Sequence, residues 1–125
     1  MNNFFTVFIG AGMGGMLRYW LQLSLNKAQY ILPLGTILVN LLGCLAIGLI
    51  CGICEEKLIP KNLNVLLISG ILGGFTTFSA FSIETIMIMQ KNEYVLAITN
   101  ILVSVIGGIA FAYLGYRNIR LFINS

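Results

Sequence analysis

Residues 73–82 read GGFTTFSAFS and lie inside one of the most apolar stretches of the chain. Two glycines precede two β-branched threonines, Thr76 and Thr77, and both residue types have low helix propensity. We therefore predict that a helix is interrupted here. An interruption frees backbone carbonyl groups, which persist at membrane depth only when they are buried in protein or bind a partner. A cation is the ligand that we expect for them.

The composition of the whole chain is that of a membrane protein. Of its 125 residues, 58% are hydrophobic and only 9% are charged, and the mean hydropathy is +0.96. A soluble domain would carry roughly a quarter of its residues charged. Four apolar regions, at about 4–25, 33–54, 65–90 and 94–117, each supply the roughly 20 residues that cross a hydrocarbon core. We predict a single all-α membrane domain over residues 1–125 with four transmembrane helices, the third broken near its middle.

The termini and the basic residues bear on topology. No basic residue precedes the first apolar run and no small-x-small cleavage site follows it, so we expect the first span to be retained. Lys and Arg residues are divided almost evenly between the two sides, which permits insertion in either orientation, although the termini and the middle loop should more often be cytoplasmic. The net charge of +3 is scattered, so the sequence predicts no nucleic-acid partner.

The polar inventory argues against enzymatic chemistry. The chain contains no histidine, and of its four carboxylates only Glu84 lies inside an apolar region. Paired acid–base groups and a metal-ligand cluster are therefore missing from the sequence. Cys51 and Cys54 have the spacing of a thiol–disulfide motif, but they close an apolar span. With Cys44 they are interpreted as packing residues.

The positions of the glycines indicate close packing between helices. All fourteen glycines fall within the predicted spans. Three pairs have the four-residue spacing that lets helix backbones approach closely: Gly10/Gly14, Gly48/Gly52 and Gly70/Gly74. So much close packing within a short chain indicates that some of the packing partners come from a second copy of the chain.

A few polar side chains lie where lipid would be expected. Arg18 is either an interfacial cation beside aromatic anchors or a charge that attracts anions to a vestibule. Thr36 and Asn40 are four residues apart and share one helix face, and Asn40 is suited either to an interhelical hydrogen bond or to an anion. A similar but weaker series lies in the fourth span: Thr99, Asn100 and Ser104.

Residues 73–82 add two series at three-residue steps on adjoining sides of the predicted helix. One consists of Phe75, Phe78 and Phe81, and the other of Thr76, Ser79 and Ser82. Taken alone, such phenylalanines are usually packing residues, and membrane hydroxyls usually bond to their own helix. Together with the helix break, however, amide and hydroxyl donors and the positive edges of the rings favour an anion. No Lys or Arg lies at the bilayer centre, so a small anion would be partly dehydrated without being trapped.

Three motifs in order resemble those of the Fluc/CrcB family of fluoride channels, over essentially the whole chain: GAGMGGMLRY (10–19), GTILVNLLG (35–43) and GGFTTFSAFSIE (73–84). The third motif is very specific and the other two are moderately so. The resemblance implies a small multi-pass protein of the microbial cell (plasma) membrane that exports toxic fluoride. It further implies an antiparallel, dual-topology homodimer with two pores, in agreement with the balanced charges, although some members of the family work as paired homologues.

The resemblance also implies which residues form the pore. Phe78 and Phe81 match two pore phenylalanines whose ring edges meet fluoride, and Asn40 matches a pore asparagine. Arg18 matches an arginine near the aqueous vestibule. Further positions match the polar side of the pathway or its neighbourhood: Ser79, Ser82, Glu84 and Thr36.

A structural Na⁺ ion at the dimer interface is the cofactor that the resemblance implies. Backbone carbonyls at Gly73 and Thr76 of both subunits would hold it, whereas Phe75 is left as a packing residue. One departure from the family pattern is Ala80, where a threonine is common, so one hydroxyl of the polar track is missing. The polar residues of the fourth span do not match the pattern and are left outside the site.

Two other functions fit parts of the sequence. A small dual-topology drug/proton antiporter also has four spans, but its mechanism needs a carboxylate deep in the first span. Here the first span offers Arg18, and Glu84 lies in the third. A structural or accessory membrane subunit would explain the glycines, but not the clustered hydroxyls and phenylalanines.

Overall fold

The computed structural model describes residues 2–27, 29–56 and 58–125, and all the regular structure in these ranges is helical. The helices are α1 (Asn3–Leu25), α2 (Leu34–Glu55), α3 (residues 61–75), α4 (Phe78–Gln90) and α5 (Tyr94–Ile123). Two of them contain wider π-helical turns, α3 at Val65–Leu72 and α5 at Val103–Gly107.

Within the described ranges, three helical segments are long and apolar enough to cross a membrane: Leu34–Glu55, Lys61–Gln90 and Tyr94–Ile123. The prediction of an all-α, multi-pass membrane protein is thereby confirmed. Helix α1 has 23 residues, enough for a span, but it is less hydrophobic than α2 and is not one of the three. The fourth span and the single domain over residues 1–125 stay predictions.

The helix of the third predicted span is interrupted between α3 and α4, where a break was predicted. Thr76 (φ −80°, ψ 155°) and Thr77 (φ −149°, ψ 118°) are extended, and the helix resumes at Phe78. The extended residues of the break are the two threonines, and Gly73 and Gly74 before them are still helical.

The glycines instead allow helices to touch backbone to backbone. A Cβ atom at Gly14 of α1 would overlap the carbonyl oxygen of Ile71 in α3, and one at Gly74 would overlap that of Ala11. In the same way, a Cβ at Gly48 of α2 would overlap the carbonyl of Ala112 in α5. Much of the packing that the sequence analysis attributed in part to a second copy is thus provided within one chain.

These close approaches bring α1, α2 and α3 together around a small core. Its buried centre consists of Val39, Leu72 and Phe75. At one end of the bundle, the Asn26 side chain accepts a hydrogen bond from the backbone N–H of Gly35 (2.7 Å), which fixes the start of α2 against the end of α1. Helices α4 and α5 are joined by a tight turn in which Asn92 has a positive φ of 59°, a conformation that asparagine tolerates well.

Candidate functional site

The helix break is held open by one side chain of the neighbouring helix. The Nδ2 atom of Asn40 donates to the carbonyl oxygen of Thr77 (2.9 Å), and the N–H of Thr77 donates to Oδ1 of Asn40 (2.8 Å). The carboxamide thus replaces helical hydrogen bonds that the extended backbone cannot make. An amide nitrogen has two N–H groups, so Asn40 retains one donor for another acceptor.

The four carbonyl groups of residues 73–76 lose their helical partners at the break, and those of Gly73 and Thr76 are two of them. In a continuous α-helix the carbonyl of Gly73 would accept from the N–H of Thr77, but that group donates to Asn40. The carbonyl of Thr76 would likewise accept from the N–H of Ala80, which donates to Oγ1 of Thr77 (3.2 Å). Gly73 and Thr76 are the two residues predicted to bind a cation, and the structure supplies a reason for their carbonyls to be free.

The three phenylalanines of residues 73–82 have different environments. Phe75 is buried in the core beside Val39 and Leu72, which confirms that it packs. Phe81 is also buried, whereas 76% of Phe78 is exposed. The rings of Phe78 and Phe81 are 5.4 Å apart between centroids and are tilted by 52°, so a ring edge rather than two parallel faces lies between them.

A groove of about 460 Å³ brings five of the predicted residues together beside the break. Its wall includes Asn40, Gly73, Thr76, Phe78 and Phe81. The rest of the wall is largely apolar and comes from α2, α3 and α5. The groove therefore combines two residues of the break, one carboxamide residue and two phenylalanines in an apolar surrounding.

A second polar group lies one helical turn of α2 away from Asn40. Thr36 is 1% exposed, and its hydroxyl donates to Oε1 of Glu84 (2.8 Å). The same hydroxyl oxygen accepts from Nε2 of Gln22 in α1 (3.0 Å). The other carboxyl oxygen of Glu84, Oε2, is buried and has no hydrogen-bond partner among the described residues. The structure thus links two predicted residues, Thr36 and Glu84, directly, and adds Gln22, which the sequence analysis missed.

The remaining predicted residues are less closely connected to the groove. Ser79 is exposed, and its hydroxyl lies 3.3 Å from that of Thr77. The hydroxyl of Ser82 donates to the carbonyl of Phe78 (2.8 Å), the common bond of a membrane serine to its own helix. Arg18 is half-buried on α1, one turn before Gln22, and its Nε atom is buried without a hydrogen-bond partner in the described part of the chain.

Helix α5 contributes polar residues that were left outside the predicted site. Asn100 is completely buried and donates to Oγ1 of Thr85 (2.9 Å), which donates to the carbonyl of Phe81 (2.7 Å). Ser104, one turn further along α5, lines the groove. Thr99 bonds only to its own helix, at Val95. The four-residue spacing of Asn100 and Ser104 was the available signal that both face the same neighbour.

Comparisons with known proteins agree with the motifs. The family model described as "CrcB-like protein, Camphor Resistance (CrcB)" matches residues 5–116. A protein of Azobacteroides pseudotrichonymphae named fluoride-specific ion channel FluC is 37% identical over 118 residues, covering 93% of this chain and 94% of the relative. Proteins of Listeria innocua (FluC 2; 91% of this chain, 88% of the relative) and Leptospira interrogans (FluC; 90% and 91%), both named fluoride-specific ion channels, are each 42% identical.

Proposed function

The chain belongs to the CrcB family, and on that premise we propose that it is a fluoride-selective ion channel through which toxic fluoride leaves the cell passively. Such a channel is not an enzyme, since ions cross it without any covalent change. The observation that carries the proposal is the groove at the helix break, in which Asn40, Phe78 and Phe81 meet. The chain would act in the plasma membrane, as a multi-pass protein.

The chemistry of the groove suits a small anion that holds its water strongly. A polar group that is stripped of hydrogen bonds without replacement costs several kcal/mol, as an order of magnitude. The free N–H of Asn40 offers a strong donor, and the edges of Phe78 and Phe81 offer weaker positive charge. None of the fifteen residues that line the groove carries a full positive charge, so the anion would be stabilised in passing without being held.

The polar pathway would continue from the groove along α4 and α1. Ser79 and Ser82 lie on the first turns of α4, and Thr36 and Glu84 lie further toward the other end of the bundle. Arg18 would attract anions at the entrance. Because the hydroxyl of Ser82 is bonded to the carbonyl of Phe78, it must rotate before it can donate to fluoride.

The function is tested by ion flux from liposomes that contain the purified protein. Vesicles loaded with fluoride should release it rapidly, and vesicles loaded with chloride should not. A lipophilic cation should not be exchanged for protons, which separates the channel from the drug/proton antiporter. Release of chloride at the rate of fluoride, or the absence of fluoride release from folded protein, would reject the proposal.

The functional unit would be an antiparallel homodimer with two pores. Two observations support a second copy: the even division of basic residues, and a groove that leaves Phe78 76% exposed although it lies beside the polar residues. Reporter tags at the C-terminus should be detected on both sides of the membrane. A single orientation for the whole population would exclude this homodimer.

A Na⁺ ion would bind at the centre of the dimer, on the carbonyls of Gly73 and Thr76 from both subunits. The residues present fit such an ion, because Gly73 and Thr76 both line the groove and the carbonyls of both have lost their helical donors. Oxygen ligands of this kind suit a hard cation. When bound, the ion would supply positive charge that joins the two subunits.

Removal of Na⁺ should therefore weaken the dimer. When Na⁺ is replaced by a bulky organic cation such as N-methylglucamine, we expect a lower thermal stability and a smaller dimer fraction in detergent. Both should return when Na⁺ is restored. Equal stability and flux in the two salts, at matched ionic strength, would contradict the cation site while leaving the fluoride pathway untouched.

A further inference from the structure

Thr36 is unusual among the threonines that lie within the described helices. The hydroxyls of Thr6, Thr85 and Thr99 each donate to the carbonyl of the residue four positions earlier, and so does that of Thr76, which follows α3. The hydroxyl of Thr36 donates instead to a carboxyl oxygen of Glu84 on another helix. Thr36 lies in the first turn of α2, where the residue four positions earlier, Leu32, precedes the helix, so its hydroxyl proton is available to a group on another helix.

Gln22 contacts the Thr36 hydroxyl and can orient its O–H bond. A hydroxyl has one proton to donate, and its oxygen accepts from other groups. Because Nε2 of Gln22 donates one of its two hydrogens to the oxygen of Thr36, that oxygen acts as an acceptor toward Gln22, and the hydroxyl proton is directed to Glu84. Chains of hydrogen bonds also polarise one another, so a hydroxyl that accepts from an amide is a better donor.

The fold brings Gln22 to Thr36 through a glycine. A Cβ atom at Gly35 would lie 2.9 Å from the Cα atom of Gln22, so only glycine at this position lets α2 approach α1 so closely. The Asn26 side chain, one turn after Gln22, holds the N–H of the same glycine. Gln22 is therefore fixed in place by two adjacent contacts between the helices.

We propose that Gln22 is a positioning residue of the ion pathway: its amide directs the Thr36 hydroxyl onto Oε1 of Glu84 and thereby fixes the rotamer of that carboxyl group. The proposal rests on the proposed channel function. Glu84 has a second buried oxygen without a partner, so the bond from Thr36 is the only hydrogen bond to the carboxyl group in the described part of the chain. Loss of the Gln22 donor leaves it free to rotate and to present charge to a passing anion.

A double-mutant cycle tests this route. Gln22→Met keeps the length of the side chain and removes the amide, and Thr36→Val keeps the shape and removes the hydroxyl. We expect each single variant to lose about tenfold in fluoride flux per folded dimer, the scale of one hydrogen bond. The double variant should lose no more than Thr36→Val alone, because Gln22 acts only through that hydroxyl.

Controls separate this result from a general loss of structure. Gln90→Met makes the same chemical change at an exposed position of α4 and should leave flux unchanged. Gln22→Glu is the second variant if Gln22→Met does not fold: a carboxylate accepts the Thr36 proton instead of donating to its oxygen, so flux should again fall. A contact that is merely structural would alter yield and melting temperature, but not flux per folded molecule.

The outcomes are distinct. Wild-type flux in Gln22→Met, or losses that add in the double variant, would overturn the positioning role while the channel function stands. An absence of fluoride flux in the folded wild-type protein would overturn both. Reduced flux in Gln22→Met with no further loss in the double variant would support the proposal.

Discussion

Phe81→Ile should abolish fluoride flux or reduce it severely, by about a hundredfold or more, while the protein still folds. Isoleucine preserves apolar bulk but has no ring edge, so it offers nothing to an anion that has left water. A barrier higher by only about 2.8 kcal/mol slows passage about a hundredfold. The ring of Phe81 is buried and lines the groove with Asn40 and Phe78, so its loss removes one of the few groups there that can face an anion.

Phe75→Ile is the matched control, since it makes the same substitution in the same segment, six residues before Phe81. Phe75 packs against Val39 and Leu72, so its replacement should cost about 1–2 kcal/mol of folding free energy and largely spare flux per folded molecule. Efflux of fluoride from liposomes, normalised to folded protein, measures both variants. Normal flux in Phe81→Ile together with a dead Phe75→Ile would mean that the pore lies on the other face of the segment.

The difference between these two phenylalanines could be predicted only in part from sequence. A stripe of Phe at three-residue steps indicates a common helix face, and the extended residues at the break remove that common face. Phe75 ends α3 and Phe81 lies in α4, so the two rings belong to different helices. The resemblance to the family separated their roles, whereas periodicity alone did not.

Local patterns predicted the helices well and the partners of their polar side chains poorly. Apolar runs of sufficient length predicted α2, the broken third span and α5, because a backbone in lipid must satisfy its hydrogen bonds internally. Gln22 was missed and Asn100 was left outside the site, because their partners are 14 and 15 residues away in sequence, on different helices. A single polar residue on a helix shows that a partner exists, but not which one.

The packing partners of the glycines could not be predicted from sequence either. Their four-residue spacing correctly predicted close helix packing, but the sequence could not assign the partner. Gly14 and Gly74 meet residues of their own chain, at Ile71 and Ala11, so they do not require a second copy. The case for a dimer rests instead on the groove, which one chain leaves open.

Asn40→Asp should reduce fluoride flux as severely as Phe81→Ile does, but for a reason that also involves the backbone. Aspartate can still accept from the N–H of Thr77, as Oδ1 does at 2.8 Å. Its second oxygen would face the carbonyl of Thr77, where Nδ2 now donates at 2.9 Å. Two acceptors would then meet without a proton, and a negative charge would lie inside the membrane at a cost of about 2.5–3.5 kcal/mol.

Both consequences act on transport. The charge repels fluoride from the groove, and the lost bond loosens the break that frees the carbonyls of Gly73 and Thr76. We expect flux below detection and, in addition, a weaker stabilisation of the dimer by Na⁺ than in the wild-type protein. Asn118→Asp makes the same chemical change at an exposed position near the end of α5 and should alter neither property. If Asn40→Asp loses flux but keeps the full response to Na⁺, Asn40 acts on the anion alone and does not hold the break; if it conducts normally, the groove is not the fluoride pathway.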